Sequence, residues 1–267
     1  MTASGAVIFV LREAALPSCE PFLLQNLLFS SAASWLAMGL ERQGVERFFV
    51  VSEDDLTAPT AACFPAGTEV VSREDPTLNR RLADFAAGCE GKVLIITQPV
   101  WLSCSACQEL VEEEFLTPAG DAMGVYRVEA ADLAEGGLDA LNCGDYYSPL
   151  NDPEIQLLPL TDPKDLFQAR ELGLADNLYR LMEEGVDILD PNTTYVEAGA
   201  QVGPGSVILP NTILVGRVKT GEGCILGPNS MLTDCTLGRG CVVNASQVSC
   251  VHLTDGTKVG PFQTVRG

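Results

Sequence analysis

Between Val196 and Gly267 a branched or aliphatic residue returns every six positions: Val196, Val202, Ile208, Leu214, Thr220 in the same slot, Leu226 and Leu232. The series continues through Leu237, Val243, Val248, Leu253, Val259 and Val265, with three of the later steps shortened to five. Four residues after most of these stands a small or β-branched residue: Ser206, Thr212, Val218, Cys224, Ser230, Thr236, Cys241 and Thr257. A period of six matches neither a helix nor an ordinary strand. It matches a parallel β-helix whose coil has three short faces. The aliphatic residue points inward onto its equivalent in the next coil, and the small one fills the corner. At about 18 residues per coil, the stretch makes roughly four coils.

The 267 residues leave room for a second domain ahead of this one. A net charge of −20 and a pI near 4.2 argue against nucleic acid and anionic membranes as partners. No apolar run reaches the roughly 18 residues of a membrane span. The short apolar run at 7–11 has no basic flank before it, so it reads as a first strand and not a signal peptide. Ten cysteines without a secretory signal read as reduced thiols of the cytoplasm.

Apolar runs at 6–11, 47–51, 70–71, 92–97 and 125–128 read as strands. Helices are expected at 21–44, 78–89 and 104–115. Their alternation implies a doubly wound parallel sheet. Residues 143–160, with Pro149, Pro153 and Pro159, read as irregular linker. One more helix follows, with Asp162 as N-cap, Pro163 at its first position and Gly185 as its stop. Its apolar stripe is Leu166, Phe167, Leu174, Leu178, Leu181 and Met182. The expected organisation is an α/β domain over 1–160, a linker helix over 161–185 and a β-helix over 186–267.

Gly185-Val-Asp-Ile-Leu-Asp-Pro191, Tyr195-Val-Glu197 and the hexads that follow resemble the bifunctional UDP-N-acetylglucosamine pyrophosphorylase/glucosamine-1-phosphate N-acetyltransferase family. Leu226-Gly-Pro-Asn229 through Val259-Gly-Pro-Phe-Gln-Thr-Val-Arg266 carries the resemblance, shortened steps included. It spans about 100 residues from Leu166. Ala6-Val-Ile8, Pro21 and Lys92-Val-Leu-Ile-Ile96 extend it more faintly into the first domain. The resemblance implies a nucleotidyltransferase-like α/β domain, a left-handed β-helix, a homotrimer built through the side faces of the β-helix, a sugar-nucleotide ligand and Mg²⁺ as the cofactor of nucleotidyl transfer.

The family's functional residues do not carry over. A Gly-rich loop with basic residues follows the family's first strand, where its backbone and charge would hold nucleotide phosphates. Here the strand runs into Leu11-Arg12-Glu13-Ala14, with Arg12 the only basic residue before Arg42. Glu20 stands where the family has a lysine, and 78–81 is Leu-Asn-Arg-Arg where it has its uridine-binding segment. Gln98 occupies the place of the metal-binding aspartate, and a neutral amide is a poor Mg²⁺ anchor. The second metal ligand falls near Thr161, with Asp162 beside it as a substitute. Arg266 matches the start of a family Arg-Pro-Gly. It reads either as a solvent-facing coil residue or as a phosphate contact. The acetyl-CoA residues of the family lie on coils beyond that point, so no acetyltransferase activity is expected of this chain, and Val259 and Val265 are expected at an uncovered edge.

Cys104 and Cys107 follow a strand and open an expected helix, which is where a redox Cys-x-x-Cys sits. The competing reading is two structural thiols. His252, the single histidine, stands beside the inward Leu253 and reads as structural. Cys224, Cys235, Cys241 and Cys250 read as stacked small residues of the coils, and Glu112–Glu114 as a solvated helix end. Two functions compete. One is an enzyme of sugar-nucleotide metabolism; the other is a catalytically degenerate relative acting as scaffold, regulator or nucleotide sensor.

Overall fold

A computed structural model describes residues 4–12, 20–102, 124–138 and 157–267. The chain divides into two compact units, Met1–Ala169 and Arg170–Gly267.

The first unit is built on a five-stranded sheet. Its strands are β1 (Gly5–Val10), β2 (Arg47–Ser52), β3 (Glu69–Ser72), β4 (Lys92–Ile96) and β6 (Val125–Glu129), in the order β3-β2-β1-β4-β6. Four strands run parallel and β6 runs antiparallel to β4, so the doubly wound sheet is mixed rather than wholly parallel. Among the described residues its helices are α1 (Ala32–Arg42), α2 (Thr57–Ala61), α3 (Leu78–Ala87) and α4 (Ala130–Gly136). Val7, Phe49, Val93 and Ile95 are fully buried, with Leu82 and Phe85 of α3 in the same core. A separate pair, β5 (Val100–Leu102) and β7 (Leu157–Pro159), runs antiparallel. The sequence places residues 157–159 in an irregular linker; the ladder to β5 makes them a strand.

The helix expected over 21–44 is shorter. Phe22–Leu24 is one 3₁₀ turn, and α1 starts only at Ala32. Ser31 sets the start, because its side chain accepts the Ser34 N–H at 3.2 Å. Before it the chain turns back on itself, with the Ala32 N–H bonded to the Gln25 carbonyl and Leu27 N–H to that of Ser30. Phe22, Leu23 and Leu27 are buried without forming an α-helix, so their apolar run reflects a packed turn.

The second unit is a left-handed parallel β-helix with a helix at its start. Two of its sheets have five strands and the third has three. Ile188, Ile208, Leu226, Val243 and Val259 form one inward column. Val196, Leu214, Leu232, Val248 and Val265 form the second, and Thr220, Leu237 and Leu253 sit in the third. Thr220 is tolerated among aliphatics because its hydroxyl accepts the Gly203 N–H and donates to the Gly221 carbonyl, each at 3.2 Å. Val259, expected at an uncovered edge, is buried, and Val265 is half-buried; both pack on the shared core of the coils.

The corner residues follow the expected spacing except where a step is shortened. At the Leu232–Leu237 step Cys235 fills the corner, three residues after the inward position, and Thr236 is only half-buried. Ser246 and Val251 take the same place in the other two short steps. Cys250 is exposed at a left-handed turn, φ 51°, while Cys224, Cys235 and Cys241 are buried as expected.

The helix α5 (Pro163–Glu183) begins in the first unit and ends in the second. Leu174, Leu178 and Leu181 join the β-helix core. The buried Asn177 donates to the Val196 carbonyl at 3.0 Å, and Arg180 donates to that of Ala200 at 2.9 Å. Phe167 and Met182 of the apolar stripe are exposed, while Leu166, Leu178 and Leu181 are buried. Among the described residues no helix is long and apolar enough to cross a membrane.

Gly221 is held to glycine by proximity and not by backbone angle. A Cβ there would lie 2.7 Å from the Arg239 backbone nitrogen of the next coil. Gly223 has φ 66° but open space around it. Gly221→Ala is therefore expected to lower stability by about 1–3 kcal/mol in urea denaturation. Gly223→Asn, which tolerates the left-handed region, is expected to cost well under about 1 kcal/mol.

Candidate functional site

In a sheet ordered β3-β2-β1-β4, the chain reverses direction across the sheet between β1 and β4. The crevice beyond the carboxyl ends of those two strands is where open α/β sheets bind ligands. Ile8 pairs with Ile96, so Val10 comes level with Gln98, and Arg12 lies two residues beyond.

Arg12 is already engaged there. Val10 pairs with Ser52, which places Arg12 beside the Glu53-Asp54-Asp55 turn at the end of β2. Its backbone N–H donates to Glu53 Oε1 at 2.8 Å, and its Nη1 forms an ion pair with Glu53. Nη1 and Nη2 grip both oxygens of Asp55, at 3.1 and 2.6 Å. The hydrogen bond to Asp55 is the largest influence raising the Arg12 pKa above its usual value, and the bond from Arg12 holds Asp55 below the usual aspartate value. One cation facing two carboxylates leaves a net negative charge where a phosphate would arrive.

Gln98 is exposed just past β4. The β5–β7 ladder, with Val100 opposite Pro159 and the Leu160 N–H on the Pro99 carbonyl at 2.9 Å, sets Gln98 opposite Thr161. By that register the two positions that the family resemblance assigns to metal ligands fall opposite each other just past the ladder. Their chemistry differs, however. Thr161 donates its backbone N–H and hydroxyl to Asp165 Oδ2, at 2.8 and 3.0 Å. Asp162 accepts the Lys164 N–H at 2.8 Å, the helix-capping role expected of it. A neutral amide, a donating hydroxyl and a capping carboxylate do not make a Mg²⁺ site. Among the described residues no group of three or more His, Cys, Asp or Glu side chains could hold a metal.

The remaining candidates lie elsewhere. Arg266 is exposed on the last strand of the β-helix, in the other unit from Arg12. His252 is exposed beside the buried Leu253. Asn79 accepts the Leu138 N–H, and Arg81 pairs with Glu69 and Asp75, so the 78–81 segment holds helices and strands together. Cys104, Cys107 and Glu112–Glu114 fall outside the described residues. Sequence reasoning misses Glu53 and Asp55. The available signal is an acidic triplet ending the strand that neighbours β1.

The Arg12–Asp55 contact gives a pH signature. A carboxylate whose folded pKa is depressed contributes stability above its unfolded value, about 3.9, and that contribution is lost as pH falls through the folded value. Asp55→Asn is expected to flatten the acid limb of a stability–pH curve below about pH 4 and to leave the region above about pH 8 parallel to wild type. An unchanged acid limb in urea titrations would show that the contact does not form in solution.

No family model matches the chain. It is similar to the bifunctional protein GlmU of Caldanaerobacter subterraneus, 47% identical over 85 residues, covering 32% of this chain and 19% of that protein. GlmU of Thermoanaerobacter pseudethanolicus is 34% identical over 114 residues, covering 43% and 25%, and that of Thermotoga petrophila 32% identical over 115, covering 43% and 26%. The chain therefore matches only about a fifth to a quarter of the length of these relatives. The crystal structure of HddC from Yersinia pseudotuberculosis superposes with a TM-score of 0.45 at 12% identity, over 64% of this chain and 99% of that one. Over about a third to 43% of its length, the chain is a relative of the bifunctional GlmU proteins.

Proposed function

We propose that this chain is a catalytically degenerate member of the sugar-nucleotide nucleotidyltransferase and acetyltransferase lineage, and that it works as a cytoplasmic scaffold or regulator rather than as a pyrophosphorylase. The observation that carries the reading is Arg12 locked between Glu53 and Asp55 at the crevice between β1 and β4. Nucleotidyl transfer needs a triphosphate held in line, with a divalent cation and basic groups taking up the developing charge. Here the arginine two residues past β1 is engaged by carboxylates, and Gln98 and Thr161 stand where metal ligands would be needed. Losing one such electrostatic contact commonly costs on the order of 10²–10³ in rate. A charge of −17 on the first unit, from 9 basic and 26 acidic residues, adds long-range repulsion of nucleotides. Free thiols at Cys63, Cys89, Cys224, Cys235, Cys241 and Cys250 suit a reducing compartment.

The β-helix supports assembly. Val207, Ile225 and Val242 make an outward apolar row on one sheet, and Tyr195, Ile213 and Met231 make another on the next. Ile225 is 41% and Tyr195 37% exposed. A homotrimer packed through these faces would cover both rows.

Pyrophosphate release from UTP and N-acetylglucosamine-1-phosphate with Mg²⁺ is expected to stay at background. Turnover that vanishes in Arg12→Ala would overturn the reading, and tight UTP binding without turnover would assign a nucleotide-sensing role instead. Light scattering is expected to give about three times the chain mass of 28.4 kDa. Ile225→Lys is expected to lower that mass, and a wild-type monomer at micromolar concentration would count against the trimer.

A further inference from the structure

Among the described residues, the large apolar side chains that the coils leave exposed are Leu189, Tyr195, Ile225 and Phe262. Leu189 and Ile225 point outward from the sheet of the Ile208 column, and Tyr195 from the sheet of the Leu214 column. Phe262 stands on the corner that joins those two sheets, between the strand of Val259 and that of Val265. The third sheet turns Gln201, Lys219, Thr236 and His252 outward, all of them polar. The exposed apolar surface of the coils is thus gathered along one edge and the two faces beside it, an arrangement that marks an interaction surface.

From the second coil on, the chain crosses that corner through one residue in the left-handed region: Asn211, Asn229, Ala245 and Phe262, with φ of 58°, 52°, 43° and 61°. Asn suits such a turn, and Asn211 Nδ2 donates to Asn229 Oδ1 at 3.1 Å in a ladder along the edge. A bulky residue there is an outlier. The Phe262 N–H is held on the Ala245 carbonyl at 2.8 Å, yet its ring is 90% exposed. Within one chain the ring gains almost no burial in return for the strained backbone.

Charge narrows what can cover this edge. Residues 207–216, 225–233, 242–249 and 259–265, which carry the chain across the corner, hold no charged side chain. The other two corners carry Arg217 and Asp234 on one, and Glu222, Arg239 and Asp255 on the other. Asp190, in the first coil, is the exception, and the Thr193 hydroxyl holds its carboxylate at 2.8 Å. A symmetry axis brings identical residues together, so any charge on it is repelled by its own copies. In a chain of net charge −20, this uncharged edge is where like copies meet without that repulsion.

Symmetry narrows it further. A twofold contact sets one patch against the same patch and leaves the second apolar face bare. A threefold contact sets one face of each copy against the other face of the next, so both are used. The coil is three-sided and its corners are narrow. Three such corners around an axis touch along the edge and diverge beyond it, which concentrates the contact on the corner residues. We propose, resting on the trimer reading above, that the corner of Asn211, Asn229 and Phe262 is the threefold axis. Three Phe262 rings pack on one another there, and the three Asn ladders lie side by side. Asn211 Oδ1 and Asn229 Nδ2, which have no partner within the chain among the described residues, then face their counterparts in the other copies.

The test is sedimentation equilibrium on the full chain over a dilution series, with Phe262→Asp, Phe262→Asn and His252→Asp beside the wild type. Phe262→Asp places three carboxylates on the axis and is expected to move the dissociation midpoint to about a hundredfold higher concentration or more. Phe262→Asn is expected to move it by about tenfold. At dilutions where the chain is monomeric, Phe262→Asn should match or exceed the wild type in urea, because Asn suits the left-handed corner. His252→Asp, on the polar face, should leave the midpoint unchanged. Photo-crosslinking from p-benzoylphenylalanine at position 262 is expected to reach 244–246 or 260–263 of a second copy. A wild-type trimer that Phe262→Asp weakens no more than His252→Asp does would overturn the axis and leave the trimer. Crosslinks confined to the face of Lys219 and His252 would do the same. A wild-type monomer at micromolar concentration would overturn the trimer reading and the axis with it.

Discussion

Coil-to-coil registration is the constraint on which the second unit depends. Each coil satisfies its backbone groups through its neighbours, as in Ile225 N–H to the Cys241 carbonyl at 2.9 Å and Gly227 N–H to that of Val243 at 2.8 Å. Such bonds would form equally well one residue out of step. The inward columns prevent this, because a slip of one would turn Leu226 and Val243 to solvent together with their whole column. Hydroxyls at the corners add a second lock. Cys224 N–H donates to the Ser206 hydroxyl, Ser246 N–H to that of Ser230, and Gln263 N–H to that of Ser246. A shortened step survives because the corner slides from the fourth to the third residue while the inward residue stays in its column. The first coil has no preceding coil, and the end of α5 takes that place. Leu178 and Leu181 extend the core, and Asn177 and Arg180 satisfy carbonyls of the first coil. The helix is therefore structurally part of the β-helix as much as a connection to it.

How much of this is legible in the sequence follows from where the information lies. The inward positions of the β-helix are readable to the residue, since each repeats the same local environment a dozen times; the corners are not wherever a step is shortened, as at Cys235 and Thr236. The four parallel strands are readable as buried apolar runs. The direction of β6 is not, because pairing sense is decided by the connection and not by the strand's own composition. The run at 21–44 misleads because burial alone does not distinguish a packed turn from a helix; Ser31, with its hydroxyl in reach of Ser34, is the boundary signal. Helix α5 shows a related limit. The spacing marks an apolar stripe along α5 but not which of its residues are covered: Leu166, Leu178 and Leu181 are buried, Phe167 and Met182 are not.

The crevice shows a different limit. The sequence identifies Arg12, Gln98 and Thr161 as places where the family chemistry is absent. It does not reveal what replaces that chemistry, because Glu53 and Asp55 are some forty residues from Arg12 and come beside it only through the pairing of β1 with β2. Read at one motif, the sequence reports a lost basic loop. The structure shows two carboxylates beside Arg12, with Asp55 gripped in the two-pronged geometry that guanidinium and carboxylate favour.

That distinction bears on how firmly the crevice is committed. A site that has merely lost a lysine regains a phosphate contact with one substitution. In this crevice an incoming phosphate must first displace two carboxylates from Arg12, and those carboxylates then remain beside it as uncompensated negative charge. Restoring an aspartate at Gln98 would not help alone, since its neighbour Thr161 is tied to Asp165 and Asp162 caps the helix α5. The sheet order and the β5–β7 ladder shape the crevice independently of what the strand ends carry. The charge just past the end of β1 holds the protein to itself, Arg12 to Glu53 and Asp55.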